Sequence, residues 1–290
     1  MRIRATVAAV SGALALSAVL MPVAHADGAD SSYRASAGKV LGTSGRTTFT
    51  GSAPVGDLDV SFSNFKIASA IKVGTTNHVS TTVTYTLTHG PSVDITSDDF
   101  ANGPLIYKGS IESPDNALLG NDPATCTATS ATTASCTGLI DIYPGPGDNE
   151  LLNAEAGTWS GGGLALNYAT EGSTVQGDLG TTKVQRYSKL TVNAAPEPVK
   201  KGKTVTVTGK LSRANWEDNL YHGYTGQSVQ LQFRKKTSTT YTTIKTIKTD
   251  STGNLKTTTT ATVDGYFRYS FAGTTTTPAV NATGDYVDVQ

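Results

Sequence analysis

Apolar residues alternate with polar ones along most of this chain, a period of two that is typical of strands with one buried face. In VSTTVTYTL, Val83, Tyr85 and Leu87 fall on one side of an extended chain and threonines on the other. GYFRYSFAG places Phe267 and Tyr269 on one side in the same way and then stops at a glycine. We find no convincing segment with the 3.6-residue period of a helix. The pattern therefore predicts an all-β protein.

The cleanest alternation lies after residue 185, where seven short runs follow one another with turn residues between them. Seven strands in about a hundred residues are what an immunoglobulin-like (Ig-like) sandwich requires. Threonine is abundant here because a β-branched side chain suits a pleated surface. Residues 58–185 carry further alternating runs bounded by glycine or proline, which predict a second sandwich. The predicted fold is two Ig-like β-sandwich domains in tandem.

The first 26 residues are typical of an export signal. Two arginines precede an apolar stretch that is too short to span a membrane permanently, and Ala-His-Ala at 24–26 supplies the small residues of a cleavage site. Cleavage after Ala26 leaves a partly flexible segment 27–57, a sandwich 58–185 and a sandwich 186–290. Asp27 stands where a lipid anchor would need a cysteine, and no second spanning stretch follows. We expect a secreted, extracellular protein without a membrane anchor.

The net charge of zero conceals two halves of opposite sign. Residues 27–185 contain seven Lys and Arg against sixteen Asp and Glu, a net charge of −9. Residues 186–290 contain fourteen against seven, a net charge of +7. Opposite charges argue for two domains, and mutual attraction between them is one consequence. A second is contact of the basic half with an acidic wall polymer. The favoured interpretation is a solvated face of scattered lysines that discourages edge-to-edge pairing. The basic residues of the second half are scattered among threonines rather than clustered in a recognition motif, so we predict no nucleic-acid partner.

The run from 189 to 290, with GKTVTVTGKL, GQSVQLQFRKK, GYFRYSFAG and TPAVNATGDYVDV, resembles the bacterial Ig-like repeat of actinobacterial secreted and cell-wall proteins. The resemblance covers about the last third of the chain. It implies an Ig-like sandwich that serves as a spacer or binding module, and it brings no catalytic residues with it. Chains of this kind are sometimes labelled calcium-binding.

The only two cysteines, Cys126 and Cys136, flank a short polar loop. Folding the loop back as a hairpin brings the two thiols together, and an exported chain meets oxidising conditions. The spacing is not that of a redox C-x-x-C motif. We predict a structural disulfide within the first sandwich.

Chemical motifs are scarce. The chain contains no H-E-x-x-H, C-x-x-C or G-x-S-x-G sequence, and His78 has no acidic neighbour along the chain. We therefore predict no catalytic residues. A calcium site is the alternative that acidic loops favour, because calcium prefers six to eight oxygen ligands. The best candidate ligands are Asp148, Asn149 and Glu150 in GPGDNE.

An aromatic loop, NWEDNLYHGYTG, gives the best candidate ligand-binding residues: Trp216, Tyr221 and Tyr224. Exposed rings can stack on sugar rings, and the acidic and amide neighbours can bind hydroxyls. The alternative is that the rings fold down and close one open end of their own sandwich.

The predicted function is that of a monomeric, secreted, non-enzymatic binding or spacer module without an obligatory cofactor. Its expected partner is a cell-wall polysaccharide or a surface protein. Calcium binding is the first alternative, and a hydrolase with an unrecognised site in the first sandwich is the second.

Overall fold

The computed structural model describes residues 32–42, 58–144 and 151–290. One helix and ten strands form the first domain, together with a 3₁₀ turn at Asn153–Glu155: α1 (Ser32–Leu41), β1 (Val60–Lys66), β2 (Ile71–Val73), β3 (Val79–His89), β4 (Phe100–Gly109), β5 (Pro114–Leu119), β6 (Thr125–Ala128), β7 (Thr133–Ile142), β8 (Gly157–Asn167), β9 (Gly172–Gln176) and β10 (Thr181–Arg186).

Ten more strands form the second domain: β11 (Ser188–Leu190), β12 (Asn193–Ala195), β13 (Thr204–Asn215), β14 (Leu220–Gly223), β15 (Ser228–Lys235), β16 (Thr242–Lys248), β17 (Asn254–Thr260), β18 (Gly265–Phe271), β19 (Val280–Asn281) and β20 (Asp285–Val287). The fold is thus a tandem of two β-sandwiches, as predicted.

The first sandwich packs a sheet of order β1-β3-β7-β6 against a sheet of order β2-β10-β8-β4-β5, with β9 beside β8. The predicted inward face of β3 is buried: Val83 and Leu87 are fully inaccessible and Tyr85 nearly so. They share one core with Phe62 of the neighbouring strand β1 and with Trp159 of the facing sheet. The period-two pattern of the sequence therefore maps directly onto the interior.

Glycines in β8 allow aromatic rings of the opposite sheet to approach its backbone closely. A Cβ atom at Gly163 would lie 2.5 Å from the ring of Phe62, and one at Gly161 would lie 2.7 Å from the ring of Phe65. Any side chain at these positions would push the two sheets apart, since interiors are closely packed.

Helix α1 is the element that the sequence analysis missed. It lies within the segment that was expected to be partly flexible, and it buries Tyr33, Ala37 and Leu41 against the outer face of the second sheet. Residues four apart lie on one face of a helix, so these three positions form a single apolar stripe. β4 and β8 are consequently buried on both faces, and the first domain has three layers.

The predicted disulfide is present in the structure. Cys126 of β6 and Cys136 of β7 are directly opposite each other in an antiparallel hairpin, with their Cα atoms 4.1 Å apart. Cys136 is fully buried in the core, so the bond ties the edge strand β6 to the interior.

The second sandwich packs a sheet built on β13 against a sheet of order β16-β15-β18-β19, with β20 also beside β18. β13 carries β11 and β12 on one side and β14 and β17 on the other. The predicted core strand β18 alternates as expected, with Phe267, Tyr269 and Phe271 buried. The hydroxyl of Tyr269 donates a hydrogen bond of 2.9 Å to the carbonyl of Val207 on the facing sheet.

Two predictions lie outside the described residues: the signal peptide, residues 1–26, and the candidate calcium ligands Asp148, Asn149 and Glu150. Both stay predictions. Within the described ranges, no three His, Cys, Asp or Glu side chains gather as a metal site. No helix in those ranges has the length and apolarity needed to cross a membrane.

Replacing Ala37 by aspartate should detach α1, because the new carboxylate would be buried against an apolar sheet face. We expect the free energy of unfolding to fall by at least ~2 kcal/mol in urea titrations. Ala35→Asp is the matched control, since Ala35 is on the exposed side of the same helix. Equal losses for the two variants would show that α1 is not held by its apolar stripe.

Candidate functional site

The aromatic loop does not form the exposed platform that the sequence suggested. The side chain of Trp216 is 1% exposed, so its ring is covered by protein and offers no free face for stacking. It does not close its own sandwich either. The indole packs into the core of the first domain, in one cluster with Val73 and Trp159.

Hydrogen bonds fix the indole across the domain boundary. Its Nε1–H donates to the carbonyl of Gly74, at 3.0 Å. The backbone N–H of Trp216 donates to Oδ1 of Asn153, at 3.1 Å. The side-chain amide of Asn153 in turn donates to Oδ1 of Asn215. The ring and its backbone are therefore both anchored to the first domain, as a buried indole N–H requires a partner.

The chain crosses between the domains with one residue, Tyr187, between β10 and β11. The Tyr187 N–H donates to the carbonyl of Val73 in the first domain, at 2.8 Å. Its carbonyl accepts the N–H of Ala214 in the second domain, also at 2.8 Å. A connection this short, paired on both sides, leaves little freedom to bend.

The loop between β18 and β19 supports the same boundary. The Gln185 side-chain amide donates to the carbonyls of Thr274 and Thr275, at 2.9 and 3.2 Å. The backbone N–H of Arg186 donates to the carbonyl of Thr276, at 3.0 Å. Backbone carbonyls of the second domain thus accept hydrogen bonds from β10, the last strand of the first domain.

Arg186 is the charged group at the centre of this boundary. Its Nε–H donates to the carbonyl of Ala214, at 2.6 Å. Burial lowers the pKa of Arg186 to about 10, and the positive charge of Arg213 acts in the same direction. A pKa of about 10 keeps the guanidinium charged at neutral pH, so it acts as a permanent hydrogen-bond donor.

The other two residues of the aromatic loop have separate positions. The ring of Tyr221 lies at the boundary with the ammonium of Lys189 3.6 Å from its centroid. Tyr224 packs on the second core, edge-on to Phe271, with the guanidinium carbon of Arg213 3.9 Å from its ring centroid. Their role as ligand-binding residues stays a prediction, but they do not form a platform with Trp216.

A polar cluster at the start of β3 brings Ser, His and Asp together. His78 Nε2 is 3.0 Å from Oδ1 of Asp141, so the expectation that His78 lacks an acidic partner is wrong. The Ser80 hydroxyl donates to the same carboxylate oxygen. The other oxygen accepts the N–H of Asn121, at 2.9 Å, and the imidazole stacks on Tyr143 with centroids 4.3 Å apart.

This cluster lacks the geometry of a catalytic triad. A triad uses one imidazole nitrogen for the carboxylate and the other for the serine hydroxyl. Here Nε2 of His78 faces both Asp141 and Ser80, and the Ser80 proton points to the carboxylate. The imidazole therefore does not stand between the carboxylate and the serine as a triad requires, and the Ser80–Asp141 hydrogen bond joins β3 to β7.

The outer face of the β15-β18-β20 sheet carries the densest group of cations and rings. We call it the tyrosine–arginine face. Its members are Arg234, Tyr241, Tyr266, Arg268 and Tyr286.

Antiparallel pairing builds this face, because residues directly opposite each other point to the same side of a sheet. Arg234 is opposite Tyr266, which is opposite Tyr286. Tyr241 enters from the turn before β16, and its hydroxyl lies against Gly284, where a Cβ would be 2.1 Å away. Strands that are distant in sequence thus meet in one layer.

The cations stack on the rings. The guanidinium carbon of Arg234 lies 3.8 Å from the centroid of Tyr266 and 5.4 Å from that of Tyr241. The guanidinium carbon of Arg268 lies 3.9 Å from the centroid of Tyr241. Two like charges therefore share one ring, which supplies attraction to each of them.

An apolar groove of about 340 Å³ lies between the edges of the two sheets of the second domain. Phe233, Ile244, Val263 and Phe267 are among its lining residues, and none of the lining residues is ionisable. The groove provides an apolar surface but no reactive or charged group.

No family model matches the chain, and no curated protein matches it. Solved structures that are similar to it include the titin I-band fragment I67–I69 (12% identity, TM-score 0.33), the D00–D0 domain of intimin (14%, 0.26) and the Yersinia pseudotuberculosis adhesin InvE (13%, 0.25). These matches cover 79%, 78% and 77% of this chain and 65%, 99% and 58% of theirs.

Dimeric latent PorU from Porphyromonas gingivalis is also similar, at 12% identity and a TM-score of 0.26. The match covers 79% of this chain and only 20% of PorU. The assignment of a sandwich fold rests on the sheets described above.

Replacing Trp216 by alanine should remove the main apolar contact between the domains. We expect the free energy of unfolding to fall by about 3–5 kcal/mol, as for other buried tryptophans. Urea titration monitored by circular dichroism measures this loss. Leu220→Ala is the control in the same loop, because Leu220 is 60% exposed and should cost little. A similar small effect in both variants would contradict the role given to the indole.

Proposed function

We propose that this protein is an exported, non-enzymatic Ig-like module that holds a binding surface in a fixed position outside the cell. The domain junction is the observation that carries this proposal. Trp216 packs in the core of the neighbouring domain, and a single residue connects the two sandwiches. A tandem held this way acts as one stiff body rather than as two linked domains.

The expected location and partner rest on the sequence. The predicted cleavage after Ala26 favours export, and the resemblance of residues 189–290 to the Ig-like repeat of actinobacterial cell-wall proteins favours a position at or near the wall. The partner that we propose is a cell-wall glycan or a surface protein. A non-enzymatic role is supported by the geometry at His78, whose imidazole does not stand between Asp141 and Ser80 as a catalytic triad requires.

Export can be tested with the full 290-residue chain in a secretion-competent bacterial host. We expect protein in the medium whose N-terminal sequence begins at Asp27, because the signal would be removed after Ala26. A variant with aspartate at residues 24 and 26 should retain the signal, since a peptidase requires small residues there. Cytoplasmic protein that still begins at Met1 would contradict export.

Stiffness can be tested by measuring the distance between spin labels on the two domains. Cysteines introduced at exposed Thr82 and Thr246 place one label on each domain. We expect a narrow distance distribution in the otherwise native chain and a broad one after Trp216→Ala, because the indole limits relative motion. Leu220→Ala should leave the distribution narrow. A broad distribution in the native chain would contradict the proposal.

A further inference from the structure

We propose that the tyrosine–arginine face binds an anionic polysaccharide, with Arg234 and Arg268 holding its acidic groups. This inference deepens the proposed function and rests on it, since it names the ligand class that the exported module would bind.

The first observation is an uncompensated pair of charges. Arg234 and Arg268 both lie against the ring of Tyr241. In residues 32–42, 58–144 and 151–290, the described ion pairs include neither arginine, and the one that is nearby joins Lys236 to Asp264 at 3.8 Å. Like charges repel, so bringing two together without a carboxylate has a cost that a bound anion would remove.

The second observation is that each guanidinium is oriented but keeps free donors. Arg268 Nε donates to Oε1 of Gln232, at 2.8 Å, and one terminal nitrogen of Arg234 donates to the carbonyl of Ser238, at 2.8 Å. A guanidinium has five N–H donors in a planar fork. Stacking on a ring sets the plane of that fork, which suits bidentate binding of a carboxylate or a phosphate.

The third observation is a set of amide and hydroxyl groups beside Arg268. The Gln232 side-chain amide donates to Oε1 of Gln230, at 3.1 Å, and to the hydroxyl of Thr243, at 3.3 Å. The Thr243 hydroxyl donates to Oε1 of Gln230, at 3.0 Å. These polar groups are hydrogen-bonded to one another beside Arg268, so the guanidinium is bordered by amides and a hydroxyl, which are groups that can bind sugar hydroxyls.

These features favour a glycan over a nucleic acid. Proteins that bind single-stranded nucleic acid present rings on which bases stack. On this face a guanidinium already covers one side of Tyr241 and one side of Tyr266. The net charge of +7 on residues 186–290 adds long-range attraction for any polyanion, and hence raises the association rate.

The test is calorimetric titration of the mature chain with a polyuronate, a poly(glycerol phosphate) and neutral dextran. Binding of either anionic polymer, with none of dextran, is the expected result. Comparison of the first two polymers shows whether carboxylate or phosphate is the preferred group. Single-stranded DNA is titrated in the same way as the competing polyanion. Failure to bind either anionic polymer, or tighter binding of the DNA than of both, would overturn the inference while leaving export and stiffness untouched.

The decisive variant is the double substitution Arg234→Gln and Arg268→Gln, which should weaken binding by roughly tenfold or more. Lys210→Gln with Lys256→Gln is the matched control, because it removes the same charge from exposed residues of the other sheet. The control should weaken binding by less than threefold, because single exposed charges contribute little to an interaction energy. Equal weakening by both double variants would mean diffuse attraction and would overturn the site.

Two further measurements keep the test valid if the glutamine variant folds poorly. Arg234→Lys with Arg268→Lys retains the charge but loses the planar fork, so it should also weaken binding roughly tenfold. Backbone amide shifts of the unmodified chain, followed by NMR during titration, should change most on β15 and β18. Shifts concentrated on β13 or on the first domain would contradict the proposed position.

Discussion

The indole of Trp216 belongs to the second domain by sequence and to the first domain by packing, and the relation between the two sandwiches depends on this one insertion. The long strand β13 continues past its sandwich and carries Ala214 and Trp216 into the neighbouring core. The indole N–H then needs an acceptor, which Gly74 supplies. The buried ring therefore fixes the spacing of the domains together with the backbone hydrogen bonds of Tyr187.

The opposite charges of the two halves have less influence at this boundary than their size suggests. The hydrogen bonds that cross it include donors to backbone carbonyls, such as those from Arg186 to Ala214 and from Gln185 to Thr274. In the described part of the chain, His78–Asp141 and Lys236–Asp264 each pair residues within one domain. Exposed charges are screened by salt, whereas a packed indole is not, so the contact made by Trp216 is insensitive to ionic strength.

The cluster at His78 and the tyrosine–arginine face differ in whether neighbouring side chains neutralise their charged groups. At His78, the carboxylate of Asp141 satisfies the imidazole, the Ser80 hydroxyl and a backbone N–H, so the group is internally complete. On the tyrosine–arginine face, cations are held by rings, which attract them without neutralising them. The first arrangement is a structural contact, and the second leaves positive charge available at the surface of a module that we propose to be a binding one.

The sequence by itself determined the strands, the inward faces of β3 and β18, and the pairing of Cys126 with Cys136. These properties are local, because period-two alternation and a short hairpin loop operate within a few residues. Only the tertiary structure decided which core receives Trp216, that α1 covers a sheet, and that Arg234 and Arg268 meet Tyr241. Those contacts depend on strand register and on packing between distant segments, and alternation alone does not identify the partner of a buried face.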